Sequence, residues 1–324
     1  MSSKLSLYAD DDETTVITTM VDVEVGVASD VTVGAHVLLD AVSSASVDVV
    51  AAATERWTEN RIEAGVTAAG QVVELDLSLA FVHSGENDWT SDSVQVTAGK
   101  ELAQKNTLVQ MGYAYTQNQV GRAYDPVFER DLDAHTFELG GTQLLDPRTL
   151  LGLTYTYQRS DGYQASPYRF VTTEAGMSFP ELHPERRSRH GITLRALRAI
   201  GDTMGLDTTY RLYTDGWGVT SHTVGAALAV ELGDATDAHL YGRAYYQSAA
   251  EFFEESYASP MVYMSADREL GSFWDVGGGL KLARSIGPAT LDAKVSGIYY
   301  RFLDFARLEG RVAIVTTGGV AWQW

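Results

Sequence analysis

The sequence predicts an all-β protein whose single domain, residues 1–324, is an antiparallel transmembrane β-barrel of about 16 strands, with about 14 to 18 compatible with the boundaries. Three observations predict this fold. Apolar and polar residues alternate with period two along most of the chain, which is typical of strands rather than helices. The predicted strands are mostly about 10 to 14 residues long, close to the length that crosses a bilayer at a tilt. Short polar turns also alternate with longer connections, as in hairpins with one tight end.

The clearest alternation lies between Gly70 and Phe81. One face is apolar, and the other includes Glu74 and Asp76. The same pattern, together with the polar turns between segments, predicts the strands in order. They cover residues 3–9, 15–27, 31–40, 57–68, 72–83, 89–99, 106–119, 131–141, 149–159, 187–199, 204–214, 217–231, 237–249, 271–284, 289–302 and 311–324.

The two faces of these strands favour a membrane barrel over a soluble sandwich, whose strands are usually about five or six residues long. Charged residues, glycine, Thr and Gln on the second face are typical of a water-filled lumen. The apolar faces end in aromatic residues that would form a girdle at the lipid–water interface: Phe81, Tyr113, Tyr115, Tyr155, Tyr157 and Tyr299. A closed barrel also satisfies every backbone hydrogen bond in lipid.

Composition excludes several classes of protein. The chain has 24 Lys and Arg against 43 Asp and Glu, a net charge of −19, which disfavours nucleic-acid binding. Because cysteine is absent, disulfides and zinc–thiolate sites are excluded. No apolar stretch approaches the length of a spanning helix. The start at Met1 lacks an apolar signal core, so we expect the mature form without a signal peptide.

Residues 317–324 (TGGVAWQW) read polar-x-Gly-apolar-x-aromatic-x-aromatic, and the residues that carry this pattern are Gly319, Val320, Trp322 and Trp324. The pattern resembles the C-terminal assembly signal of bacterial outer-membrane barrels. The resemblance implies a Gram-negative outer-membrane location, insertion by the barrel assembly machinery and termini on the periplasmic side. A simple aromatic edge strand is the alternative.

Two further segments, residues 7–13 (LYADDDE) and 39–46 (LDAVSSAS), resemble a family of outer-membrane barrels that has no assigned function. That resemblance implies an architecture rather than a reaction. The chain matches none of the catalytic patterns of barrel phospholipases, proteases or lipid deacylases, and its histidines form no metal-binding motif. We therefore expect no enzymatic activity.

The alternation assigns twelve acidic and seven basic side chains to the lumen. A water-filled lumen with excess carboxylates predicts a porin-like channel for passive passage of small solutes or ions, with weak cation preference. The alternatives are charges paired across neighbouring strands, with Arg61 bound near Glu59 or Glu63, and a non-conducting barrel that anchors a lipoprotein, a periplasmic protein or a surface ligand. The predicted pore-lining residues are Lys4, Asp22, Glu24, Asp40, Glu59, Arg61, Glu63, Glu74, Asp76, Glu138, Arg195, Asp207, Arg211, Glu231, Arg243, Asp275, Lys281, Asp292 and Lys294.

Four other segments suggest binding. Loop 160–186 is long enough either to fold inward and constrict the pore or to stand outside as a binding surface. Loop 250–270 is aromatic and acidic, and is expected to cap the mouth or contact a partner. The basic run 186–190 would lie at the rim beside outer-membrane lipid, where it could hold lipopolysaccharide phosphates. The carboxylates of Asp10, Asp11, Asp12 and Glu13 suit Ca²⁺, the only cofactor considered, with a solvated acidic tip as the alternative.

Overall fold

The computed structural model describes residues 1–44, 57–123 and 125–323. Sixteen strands form one closed antiparallel barrel, as predicted. Two further short strands, β10 and β11, form a separate hairpin. The strands are β1 (Ser2–Asp10), β2 (Thr14–Ala28), β3 (Val31–Ser44), β4 (Trp57–Val72), β5 (Leu75–Gly85), β6 (Trp89–Leu102), β7 (Thr107–Val120), β8 (Arg130–Asp146), β9 (Thr149–Gly162), β10 (Phe170–Thr172), β11 (Ser178–Pro180), β12 (Arg186–Ile200), β13 (Met204–Asp215), β14 (Thr220–Gly233), β15 (Thr236–Gln247), β16 (Phe273–Ile286), β17 (Ala289–Phe302) and β18 (Gly310–Trp322).

Each barrel strand pairs with its neighbours in sequence, except where β9 pairs with β12 and where β1 closes the ring against β18. The closing register runs from Ser2 opposite Ala321 to Asp10 opposite Ala313. A 3₁₀ turn covers Arg268–Leu270. Among the described residues, no helix is long and apolar enough to span a membrane.

The outer face of the barrel carries the apolar residues. Leu79 is 53% exposed and Val66 is 54% exposed, although both lie in the middle of long strands. Side chains so apolar and so exposed are expected where the solvent is hydrocarbon. Residues directly opposite each other in an antiparallel pair share a face. The register therefore places the alternate residues of every strand on the inner face.

The two ends of the barrel differ. At one end, which we call the turn end, seven short connections and both chain termini lie together, with the Met1 amino group bonded to the Trp322 carbonyl at 3.1 Å. At the other, the loop end, lie the long connections. Buried apolar residues concentrate at the loop end, in a cluster formed by Trp217, Val219, Ala250, Phe252, Phe253, Leu270, Phe273, Phe302 and Phe305.

The turn between β4 and β5 corrects the predicted boundary. We expected the chain to turn at Ala69–Gly70, but β4 continues to Val72 and the turn consists of Val73 and Glu74. Both have positive φ, 50° and 63°. This is the backbone of a type I′ hairpin, in which Asn and Gly are usual and a β-branched residue is unfavourable. Since neither residue is a turn former, the sequence gives no local signal here.

Replacing this turn by Val73→Asn and Glu74→Gly should stabilise the barrel. An L-residue in the left-handed region costs about 1–2 kcal/mol, and Gly removes that cost. We expect a comparable rise in the free energy of unfolding, measured by urea titration of the protein folded in lipid vesicles. Arg148→Gly is the control because its turn has no positive φ. An equal gain in the control would contradict this explanation.

Candidate functional site: the inner wall and the loop end

The register places all the predicted pore-lining residues except Glu74 on the inner face. Asp22 lies opposite His36, and Asp275 lies opposite Tyr300. Glu74 instead lies in the β4–β5 turn, where its carboxylate is 3.7 Å from the Lys100 ammonium and its side chain is 85% exposed. Its assignment to the wall was wrong, because it assumed a strand that passes through residue 74.

Many of the inner charges are paired across neighbouring strands. Arg61 binds Asp40 at 2.9 Å rather than the glutamates of its own strand. Eight of the predicted residues form ion pairs of this kind, namely Arg61–Asp40, Arg195–Asp207, Arg243–Asp275 and Lys281–Asp292. A ninth, Glu63, lies 3.4 Å from the His36 ring. The predicted alternative of cross-strand pairing therefore describes about half of the inner wall.

The other inner residues have no oppositely charged partner among the residues that the structure describes. Six are acidic: Asp22, Glu24, Glu59, Asp76, Glu138 and Glu231. Three are basic: Lys4, Arg211 and Lys294. Lys294 lies over the Tyr241 ring at 4.4 Å, whereas Glu24, Glu138 and Glu231 are exposed. The unpaired charge of these predicted inner residues is thus negative.

Two long connections cover the loop end. We call residues 163–185 and 248–272 together the lid. A carboxylate oxygen of Glu181 accepts hydrogen bonds from the Ser265 hydroxyl and the Ala266 N–H, both at 3.0 Å. Backbone hydrogen bonds join Leu182 and Met264 in both directions. Because these bonds are largely buried, the two connections form one unit.

The lid packs against inner-face residues of the wall. Phe252 and Phe253 lie in the cluster with Phe273 and Phe302, which oppose each other on the inner faces of β16 and β17. The Gln247 side-chain amide donates to the carbonyls of Glu269 and Gly271 at 2.9 and 2.8 Å. Loop 250–270 therefore packs over the inner wall at the mouth, and loop 160–186 is held against it by the bonds of Glu181 and Leu182.

Several loop-end connections hold the lid in place. The Tyr168 hydroxyl donates to Asp88 and accepts from the Ala123 N–H; burial and the bond to Asp88 raise the pKa of Tyr168 to about 12. Glu255 accepts from the N–H groups of Ala306 and Arg307 at 2.7 and 3.0 Å. Burial opposes ionisation of Glu255, but these donors and the Arg307 guanidinium outweigh it and lower the pKa.

A buried ion pair joins the lid to the first hairpin. The Arg268 guanidinium binds Asp12 at 2.5 Å, and the two side chains are 5% and 4% exposed. Asp10 accepts the N–H of Thr14 at 2.8 Å, and Asp11 accepts the N–H of Val312 at 2.8 Å. The carboxylates of residues 10–13 do not converge in the described structure, so the calcium site predicted there stays a prediction that this geometry does not support. Among the described residues, the acids that do converge are Glu59, Glu86 and Asp88.

The basic run at the start of β12 does not form an outward phosphate site. Arg187 and Arg189 lie on the inner face. Arg187 binds Asp215 at 2.5 Å and stacks over the Trp217 ring at 4.0 Å. Arg186 is exposed and binds Asp161 at 3.0 Å. Because strand alternation divides the run between two faces, the expected cluster for lipopolysaccharide phosphates is not assembled.

The outer face carries aromatic pairs that the sequence reasoning missed. Tyrosine hydroxyls meet histidine Nδ1 atoms on neighbouring strands in Tyr113–His135, Tyr155–His190 and Tyr210–His222, at 2.9, 2.8 and 2.8 Å. Each pair lies near the loop end of the apolar face, where an interfacial ring is half apolar and half hydrated. These pairs are identified only from the strand register, because the tyrosine and the histidine are a different number of residues apart in each pair.

The C-terminal segment forms the closing strand. Val320 and Trp322 are on the outer face, 45% and 47% exposed. Gly319 lies opposite Lys4, and a side chain there would meet the Asp292 carboxylate at 2.6 Å. Trp324 lies outside the described residues, as do residues 45 and 46 of the second motif.

With this geometry established, comparison with known proteins defines the family. Residues 124–319 match the family model described as "Protein of unknown function (DUF3570)". The chain belongs to the DUF3570 family. No curated protein matches this DUF3570 chain.

Solved structures similar to the DUF3570 barrel are outer-membrane barrels. A bacterial polysaccharide outer membrane secretin is 8% identical, with a TM-score of 0.56 over 100% of this chain and 98% of that one. CdiB from Acinetobacter baumannii is 9% identical, with a TM-score of 0.57 over 98% and 60%. The siderophore receptor PirA from Pseudomonas aeruginosa is 9% identical, with a TM-score of 0.53 over 98% and 60%.

The DUF3570 chain thus spans about three-fifths of the length of that receptor. At these identities the similarity concerns the fold. Together with the family match, it confirms the predicted resemblance to an outer-membrane barrel family of unknown function.

Proposed function

We propose that this protein is a lid-gated outer-membrane conduit for small cationic or neutral solutes, with its termini in the periplasm. The observation that carries the proposal is the contrast between the two halves of the inner wall. From the middle of the barrel, at Glu138, to the turn end, at Glu24 and Glu231, charged inner residues are exposed, whereas at the loop end inner residues are buried under the lid. A sixteen-stranded barrel is wide enough for a water-filled lumen.

The unpaired acids supply the selectivity. Carboxylates in a lumen with low-dielectric walls raise the local concentration of cations, and paired charges contribute little to that field. Among the predicted inner residues, six unpaired acids against three unpaired bases support a weak cation preference. The lid makes the resting conductance low.

A second candidate is a closed barrel that serves as a scaffold for a lipoprotein, a periplasmic protein or a surface ligand. The apolar cluster beneath the lid favours it, because such packing resists opening. The two candidates differ in whether removal of the lid exposes an ion path.

Planar-bilayer recording tests the proposal. We expect brief, small openings from the native protein and large, steady currents after residues 251–266 are replaced by a short Gly-Ser linker. In that shortened barrel, the triple substitution Glu24→Gln, Glu138→Gln and Glu231→Gln should move the cation-to-anion permeability ratio towards one, because the unpaired negative charge is lost. Glu74→Gln is the matched control, since Glu74 lies outside the wall, and it should leave the ratio unchanged. A folded, lid-shortened barrel that passes no current would overturn the channel and favour the scaffold.

A further inference from the structure

Three carboxylates from two elements converge at the loop end. Glu86 and Asp88 lie in the β5–β6 connection, and Glu59 lies on the inner face of β4. One carboxylate oxygen from each residue lies within 4.8 Å of those of the other two. This arrangement differs from the acidic tip at residues 10–13, whose carboxylates bind protein donors.

Glu59 is the unusual member of the group. It is only 8% exposed, and no donor or cation among the described residues bonds its carboxylate. Arg61, two residues further along β4, binds Asp40 instead. A buried carboxylate without a donor is costly, and its attraction to a ligand is correspondingly strong. Glu59 thus lies against the carboxyl groups of Glu86 and Asp88 with no basic side chain, in the described part of the chain, to balance the three acids.

We propose that Glu59, Glu86 and Asp88 bind a divalent cation of the calcium class. Ionising all three carboxyl groups at this separation is costly because the charges repel one another, and a bound cation would remove that repulsion. Ca²⁺ takes six to eight oxygen ligands in flexible geometry, so carboxylates on a strand and a connection, completed by water, suit it. Mg²⁺ demands stricter octahedral geometry and retains more of its water.

The ion would join three parts of the protein. Asp88 accepts a hydrogen bond from the Tyr168 hydroxyl of the lid, and the Asp88 carbonyl accepts from the Gly121 N–H at 2.6 Å. A cation at this point therefore links the wall, the β5–β6 connection and one edge of the lid. The site does not depend on whether the barrel conducts.

Terbium luminescence tests the site directly, because Trp89 adjoins Asp88 and can sensitise a bound Tb³⁺ ion. With the full chain folded in detergent, we expect saturable Tb³⁺ emission that Ca²⁺ displaces. Glu59→Gln should weaken the apparent affinity by about tenfold or more, since one charged ligand is lost. Glu13→Gln, in the other acidic loop, should leave it unchanged.

Heat-modifiable migration on a gel checks that each variant is folded, and Glu86→Gln provides a second ligand variant if Glu59→Gln does not fold. Emission that Ca²⁺ fails to displace, or that responds equally to Glu13→Gln and to the ligand variants, would overturn the site. Proton sharing would then be the remaining way for the three acids to coexist.

Discussion

Asp12→Ala should open the lid. The substitution leaves the Arg268 guanidinium buried at 5% exposure without the carboxylate that it binds at 2.5 Å. Removing one partner of a buried ion pair costs about 3–5 kcal/mol where the remaining charge is uncompensated; here the Glu269 carboxylate, 3.9 Å from the guanidinium, stays in place and lowers that cost. The sixteen paired strands remain, so we expect the lid to detach rather than the barrel to unfold. Bilayer recording should show long openings, and trypsin should cleave at residue 268.

Two further variants make this test specific. Glu13→Gln changes the adjacent acid, which is exposed, and should behave like the native protein. The double variant Asp12→Ala, Arg268→Met leaves no buried charge in this pair, so it should recover much of the closure. If the Asp12→Ala protein shows the same low current and the same trypsin resistance as the native protein, this ion pair does not hold the lid closed.

Deleting residues 322–324 should prevent normal assembly. Trp322 lies at the end of β18, and its N–H donates to the Met1 carbonyl at 2.8 Å where β18 meets β1. The truncated chain loses this end of the closing pair together with the aromatic residues of the predicted assembly signal. We expect outer-membrane abundance to fall severalfold and heat-modifiable protein to disappear from the membrane fraction.

Gln323→Ala is the control, because it keeps the length of the chain and both tryptophans. Normal abundance of the truncation would contradict the assembly signal. A truncation that assembles poorly in cells but folds normally in detergent would locate the defect in recognition by the insertion machinery rather than in closure of the barrel.

Most of the barrel could be predicted from the sequence because its strands are long and its two faces meet different solvents. Alternation assigned Asp40, Arg195 and Asp292 to the inner face, where the register places them. It failed at Glu74, since a left-handed turn made of Val and Glu carries no turn signal. Turn geometry there follows from strand pairing rather than from local preference.

The lid was beyond prediction in detail. Its contacts join residues as far apart as Asp12 and Arg268 or Glu181 and Ser265, and no periodic pattern relates such positions. The sequence indicated that loops 160–186 and 250–270 were long enough to matter, but left inward and outward placement open. Side-chain packing of loop 250–270 against Phe273 and Phe302 favours the inward placement of that loop.

Phe273, Phe302 and Arg311 are buried at one rim, whereas acidic residues towards the other rim are exposed, so the two ends of the barrel differ in accessibility. If the barrel is the conduit proposed above, a small molecule would reach the exposed acids from the turn end without any rearrangement. Entry from the loop end would require the packed aromatic rings to move, and that movement would set the rate of exchange.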